Sequence, residues 1–115
     1  MFTFASQNFK GSPLSLLFYR QAFGADLIGD LSKIDEVSFD LLVLYQILWA
    51  MGKTAQFGAA EPFPDFETWL AGLDSGFDVK SKPFMEAFMG EVAHGFLGQA
   101  AAEHAKAFEI LTGAN

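Results

Sequence analysis

The apolar positions of this chain recur mostly at helical spacing, and the first clear instance follows Ser12-Pro13. Ser is a good N-cap and Pro a good first helical residue. Leu14, Leu17 and Phe18 then recur one turn apart and Gly24 supplies a stop, so the spacing predicts a helix over 13–23. A shorter helix is expected over 25–33. It sets Leu27, Ile28, Leu31 and Ile34 on one face and places Asp26 and Asp30 near the end where the helix dipole favours acids. The strongest pattern covers 38–53. Leu41, Leu44, Tyr45, Leu48 and Trp49 form a stripe, which Leu42, Val43 and Ile47 widen until the helix is apolar nearly all round. Such a helix belongs in the middle of a bundle. Ser38 is its expected N-cap, and Gly52 and Lys53 its expected end.

Residues 54–64 read as a loop containing Gly and Pro, after which Asp65 caps a short helix from Phe66 to Ala71, ended by Gly72. A turn-rich stretch, 73–80, leads to Ser81 and Pro83, which open a last helical segment running to about Leu111. Met85, Phe88, Met89, Val92 and Phe96 form its first stripe. Gly90, Gly95 and Gly98 each weaken a helix interior by about 1 kcal/mol relative to Ala, so a kink or break is expected near Gly95–Gly98. Residues 1–11 are expected to be an extended arm or one edge strand. The expected fold class is all-α: a single domain over 1–115 of about five helices, with the 13–23, 38–53 and 82–97 segments carrying the core.

Composition narrows the function. The chain has 115 residues, 51% of them apolar, and 14 of them are Phe. That is enough to bury a core and a large load for one small domain to hide, which favours homo-oligomers and partner surfaces. The net charge of −7 repels phosphate backbones, so nucleic-acid binding is not expected. There is no Cys, which excludes disulfides and thiolate chemistry. Met1-Phe2-Thr3-Phe4 is not a basic stretch leading into an apolar one, and the apolar run Phe39–Met51 is shorter than the roughly 20 residues of a bilayer span. A cytoplasmic protein without membrane contact is the expectation.

Catalytic patterns are sparse. No Gly-x-Ser-x-Gly elbow, Walker loop or Gly-x-Gly-x-x-Gly turn exists, and Ser12, Ser38 and Ser81 read as helix caps. Glu91-x-x-His94 has the helical spacing of carboxylate di-iron bundles, but no second copy exists, and the adjacent Glu103-His104 point their side chains apart. No catalytic, cofactor-binding or metal site is expected. The aromatic run Pro62-Phe63-Pro64-Asp65-Phe66-Glu67-Thr68-Trp69-Leu70 stands out instead. Phe66 and Trp69 suit the buried face of a short helix, whereas Phe57 and Phe63 lie in a loop where full burial is harder. Met85, Phe88 and Met89 could line a groove for an apolar helix, because Met adapts to varied partners; the competing reading is plain core.

These residues also carry a resemblance. Pro13-Leu14-Ser15-Leu16-Leu17-Phe18-Tyr19-Arg20-Gln21-Ala22-Phe23-Gly24, Asp26-Leu27, Leu48-Trp49-Ala50-Met51-Gly52-Lys53-Thr54-Ala55 and the Pro62–Leu70 run look like the tail assembly chaperones of siphophages and prophages of Gram-positive bacteria, over roughly residues 9–97. The resemblance implies a non-catalytic protein that binds the tape measure protein, assists tail-tube assembly, and self-associates. Phe57, Phe63, Phe66, Trp69, Met85, Phe88 and Met89 are the candidate protein-binding residues, with the tape measure protein and the tail-tube protein as partners and no cofactor. The alternative is another small helical adaptor or regulator of phage origin.

Overall fold

A computed structural model describes residues 1–34, 39–74 and 77–96. Among the described residues a β-hairpin, β1 (Phe2–Phe4) and β2 (Gln7–Phe9), is followed by five helices: α1 (Pro13–Phe23), α2 (Leu27–Leu31), α3 (Leu41–Ala55), α4 (Phe66–Ala71) and α5 (Lys82–Gly95). The protein is therefore mostly helical, as the spacing predicts, with a small two-stranded antiparallel sheet added to the helices. The expected arm or single edge strand is a hairpin with register Phe2↔Phe9, Thr3↔Asn8 and Phe4↔Gln7. Its two-residue turn holds Ala5 and Ser6 at φ of 50° and 65°. This is the mirror-image geometry that matches strand twist, usually supplied by Asn-Gly. Ala-Ser carries no such signature, which is why the turn was not visible.

α3 is the hub. Asp40 caps it by accepting from the Val43 N–H at 3.2 Å. The expected cap, Ser38, lies outside the described residues. Val43, Leu44, Ile47, Leu48, Trp49, Ala50 and Met51 are buried, so the helix is covered on most sides, while Leu41 and Leu42 at its first turn stay exposed. α3 also runs past its expected end. Gly52 is a buried helical residue that seats Phe63: an added Cβ would stand 2.9 Å from the Phe63 ring. It is there for close approach, not for termination.

α1 packs along α3. Its start is a capping box, with the Ser12 side chain accepting from Leu14 N–H and Ser15 Oγ accepting from Ser12 N–H. Gly24 ends it in the left-handed conformation at φ 64°, as the spacing predicted. The buried face differs from the expected one. Leu17 is exposed and Ser15 is buried, with Ser15 Oγ 2.7 Å from Thr54 Oγ1 and 3.1 Å from the Lys10 carbonyl. Thr54 in turn reaches the Ala50 carbonyl at 2.7 Å, so this polar pair inside the α1–α3 seam is satisfied. α2 is shorter than predicted and is capped by Asp26; only Leu27 of its apolar residues is fully buried. Tyr19 ties it to α1 by donating its hydroxyl to Asp30 Oδ2 at 2.7 Å, with Gln46 Oε1 at 3.3 Å.

The hairpin lies between α3 and α5. Lys10 N–H donates to the Met51 carbonyl at 3.0 Å, fastening it to α3. On its inner face Phe2, Phe4 and Phe9 meet Phe77 and Phe84, with Phe4 4.8 Å from Phe84 and 5.1 Å from Phe77. α5 starts at the predicted Ser81 cap and has Phe84 and Phe88 buried. Its end sits against Gly11: a Cβ on Gly95 would stand 2.3 Å from the Gly11 carbonyl oxygen. The glycine expected to weaken the helix is thus what lets α5 touch the chain after β2. α5 ends at Gly95, within the range of the expected kink or break; Leu97 to Leu111, over which the helix is expected to continue, lie outside the described residues.

Two outcomes test this arrangement. Gly95→Ala should lower the free energy of unfolding by about 2 kcal/mol or more, because backbone must move to admit the methyl. Gly90→Ala, where an added Cβ meets open space, should raise it by about 0.5–1 kcal/mol. Denaturant titration of both variants checks the contrast. The Tyr19–Asp30 bond also gives the stability curve a shape. Tyr19's hydroxyl is held well above its ordinary 10.0, first by burial and then by the Asp30 bond. Asp30 is held below its ordinary 3.8, first by that hydroxyl and then by Lys33. A raised folded value gives stability that is complete below pH 10 and lost above it; a lowered one gives stability lost as pH falls below about 4. Melting temperature against pH should therefore lose part of its alkaline limb in Tyr19→Phe and part of its acid limb in Asp30→Asn.

Candidate functional site

Burial sorts the predicted binding residues into two groups. Trp69 (6% exposed) and Phe88 (0%) are core, so neither presents a surface to a partner. Trp69 donates its indole N–H to Gln7 Oε1 at 2.7 Å and stands edge-on to Phe77, locking α4 to the hairpin. Phe88 stacks on Phe84. This removes the Met85–Phe88–Met89 groove as a unit: Met89 is exposed and Met85 half-buried on a helix whose central ring points inward. The expected stripe was core, because its strongest apolar member faces the hairpin.

Phe57, Phe63 and Phe66 do come together, on the side of the molecule where α1, α3 and α4 meet. The geometry starts from Trp49. Its indole N–H donates to the Pro64 carbonyl at 2.9 Å, holding the Pro62–Asp65 segment against α3. Phe63 then lies over Gly52, with its ring 6.2 Å from Trp49. Asp65 caps α4 by accepting from Thr68 N–H at 2.8 Å, and the Thr68 side chain first, then that N–H, hold its carboxyl below the ordinary aspartate range. The cap fixes the direction of α4, so that Phe66 closes on Phe23 at 5.1 Å and 89° and faces Trp49 edge-on.

An open depression of about 740 Å³ remains between these elements, lined by Phe23, Trp49, Lys53, Phe63, Phe66 and Glu67 among others. A second, of about 150 Å³, lies on the other side of Lys53 and Phe63 and is lined by Phe18, Phe57 and Glu61 among others. Phe57, 71% exposed, forms the outer wall of the smaller one beside Phe18. Lys53 stands between the two, its ammonium 4.6 Å from the Phe18 ring centre and 5.2 Å from that of Trp49.

Together these residues make an open surface in which aromatic rings alternate with polar and charged side chains. That is the composition of a surface that takes apolar side chains from another chain. Phe57 and Phe63 are legible from their loop positions; Phe66, which the spacing assigns with Trp69 to the buried face of a short helix, is half-buried. Phe23, Trp49 and Lys53 were missed as site residues. Trp49 and Lys53 stand one helical turn apart, and the spacing i, i+4 signals that they share a face.

The candidate metal pair has another occupation. Glu91 Oε2 accepts from Gly11 N–H at 2.9 Å, and Oε1 pairs with the Met1 amino group, so this carboxylate joins α5 to the start of the chain. His94 is exposed. Among the described residues no group of three His, Asp or Glu is placed to hold a metal ion, and Glu103 and His104 lie outside them. No helix among the described residues is long and apolar enough to cross a membrane. The sequence matches no protein-family model, and comparisons with curated proteins and with solved structures likewise find no match.

The aromatic surface predicts a split between two rings of one kind. Phe57→Ala should change the free energy of unfolding by less than about 0.5 kcal/mol, since its ring is mostly in water. Phe63→Ala should cost about 1–3 kcal/mol, because it empties the seat on Gly52. Thermal melts of the two variants read the difference.

Proposed function

We propose that this protein is a non-catalytic tail assembly chaperone of a phage or prophage, which binds the tape measure protein in the host cytoplasm and assists tail-tube assembly around it. The observation that carries the reading is the groove of Phe23, Phe63 and Phe66 over the buried Trp49, extended by the exposed Phe57. A tape measure protein is long, helical and apolar, and needs cover until tube subunits enclose it. A surface whose aromatic walls are already fixed by a cap and an indole hydrogen bond offers that cover with little ordering cost on binding. The sequence resemblance over residues 9–97 supports the same role. The tail-tube protein is the second partner in this proposal.

The chemistry of the remaining surface fits a carrier better than a catalyst. Its carboxylates serve as caps and ties, as Asp26, Asp40, Asp65 and Glu91 do. Self-association belongs to the proposal as well. Leu17, Leu42 and Met89 are exposed away from any described partner residue, and apolar surface of this kind is usually covered in an assembly.

Co-expression supplies the test. The tape measure protein encoded beside this chain should remain soluble when the two are produced together, and should elute with it from a sizing column, where light scattering also gives the oligomer size. Phe57→Asp, which leaves the fold intact, should reduce co-elution at least several-fold. A tape measure protein that precipitates equally with and without this chain defeats the reading. Co-elution with a different small helical protein, and not with the tape measure protein, would favour an adaptor role.

A further inference from the structure

The electrostatics of the groove are uneven in an informative way. Lys53 is half-buried at the ridge between the two depressions, with aromatic faces on two sides. Among the described residues it has no carboxylate within ion-pair distance. Carboxylates line the same two depressions at more exposed positions: Asp65 and Glu67 the larger, Glu61 the smaller. Asp65 is already committed to the Thr68 N–H. The surface thus combines aromatic rings, an exposed carboxylate set on either depression, and one half-buried cation shared by both.

That pattern constrains what can lie across it. A guest helix covering the ridge would take water from the Lys53 ammonium. With only apolar groups opposite, the ammonium would be left covered and unpaired, which is costly. A guest cation there would be repelled. A guest carboxylate would be attracted, more strongly than on an open surface, because the flanking rings hold water away. The same carboxylate placed beside Glu61 or Glu67 would be repelled. Attraction at one point and repulsion at others define a register.

We infer that Lys53 is a specificity-determining residue of this groove, and that its occupant is an amphipathic helix from another protein carrying a carboxylate between two apolar anchors on one face. The inference rests on the groove's being a receptor for apolar polypeptide, and adds which polypeptides it prefers. The apolar anchors enter the depressions on either side, and the acidic side chain stands over the ridge.

Synthetic helical peptides provide the probe. Each is about fourteen residues, roughly 21 Å when helical, with leucines two turns apart and Glu between them on the same face. A second peptide has Gln in place of Glu. Titration followed by Trp fluorescence should show the Glu peptide binding about three- to ten-fold more tightly than the Gln peptide. The advantage should shrink in high salt. Lys53→Met keeps the apolar stem and loses the charge. It should bind both peptides equally, with the affinity for the Gln peptide retained. Equal binding of the two peptides by the parent protein overturns the inference and leaves the groove itself standing. A preference that survives in Lys53→Met overturns it too, since another cation is then responsible. Binding of neither peptide also overturns it, and co-elution of the tape measure protein then decides the wider reading on its own.

Discussion

The constraint on which this structure depends is the circumference of α3. A helix carrying Val43, Leu44, Ile47, Leu48, Trp49, Ala50 and Met51 in one run has no face that prefers water, so every side needs a cover. In a larger protein long helices would supply it. Here the covers are short: α1 on one side, β2 on another, α2 and α4 at the remaining flanks. Short elements contribute little hydrogen-bonded structure of their own, and a two-stranded hairpin is marginal in isolation. They are held by what they bury against α3 and by single well-placed bonds, Lys10 N–H to Met51, Trp49 to Pro64 and Tyr19 to Asp30.

The same constraint explains how an aromatic surface can be rigid. Loops that carry exposed rings are usually free to fold them inward. In this protein the loop after α3 is fixed at Pro64 by an indole from the hub helix and at Phe63 by the gap left at Gly52. Asp65 then starts α4 in a set direction. Each of these is a property of α3 or of a cap, so the groove is a consequence of how the hub is covered. Phe57, beyond the end of α3, receives no such hold and stays in solvent.

Much of the helical content was legible because it rests on local chemistry. Ser12-Pro13, Gly24, Asp65, Gly72 and Ser81 are caps or stops whose action depends on the next few residues, and the helices they bound fall where the spacing puts them. What was not legible depends on partners distant in sequence. Ala5-Ser6 turns the hairpin through a conformation that neither residue prefers, stabilised by Phe2, Phe4 and Phe9 against Phe77 and Phe84. Gly52 looks like a helix stop and is a contact point inside α3, and Gly95 at the end of α5 is a contact point as well, features visible only through Phe63 and Gly11. Ser15 is not among the apolar positions that mark α1, yet it is buried; its partner, Thr54, is on another helix. Within the candidate site, Phe57 and Phe63 could be picked out because loops cannot hide large rings easily. The spacing assigns Phe66 and Trp69 together to the buried face of α4, and the structure separates them, Trp69 in the core and Phe66 half-buried. Phe88 could not be told from a surface ring, since an aromatic on a helix looks alike in sequence whether its neighbours are water or other rings.

The distribution of charge completes the argument. Acidic side chains are where local structure uses them, at N-caps and ties, and their excess elsewhere keeps an apolar chain in solution. Against that background a cation set among aromatic rings is the exception that asks for a reason. As a structural group Lys53 contributes little that Met or Leu would not, because its stem could cover Phe18 and Trp49 equally well without the charge. Its charge gains meaning only when something arrives to meet it. Aromatic walls alone would accept any apolar helix, including those of the protein's own unfolded copies. One half-buried cation among more exposed carboxylates gives such a surface a physical basis for preferring one apolar helix over another.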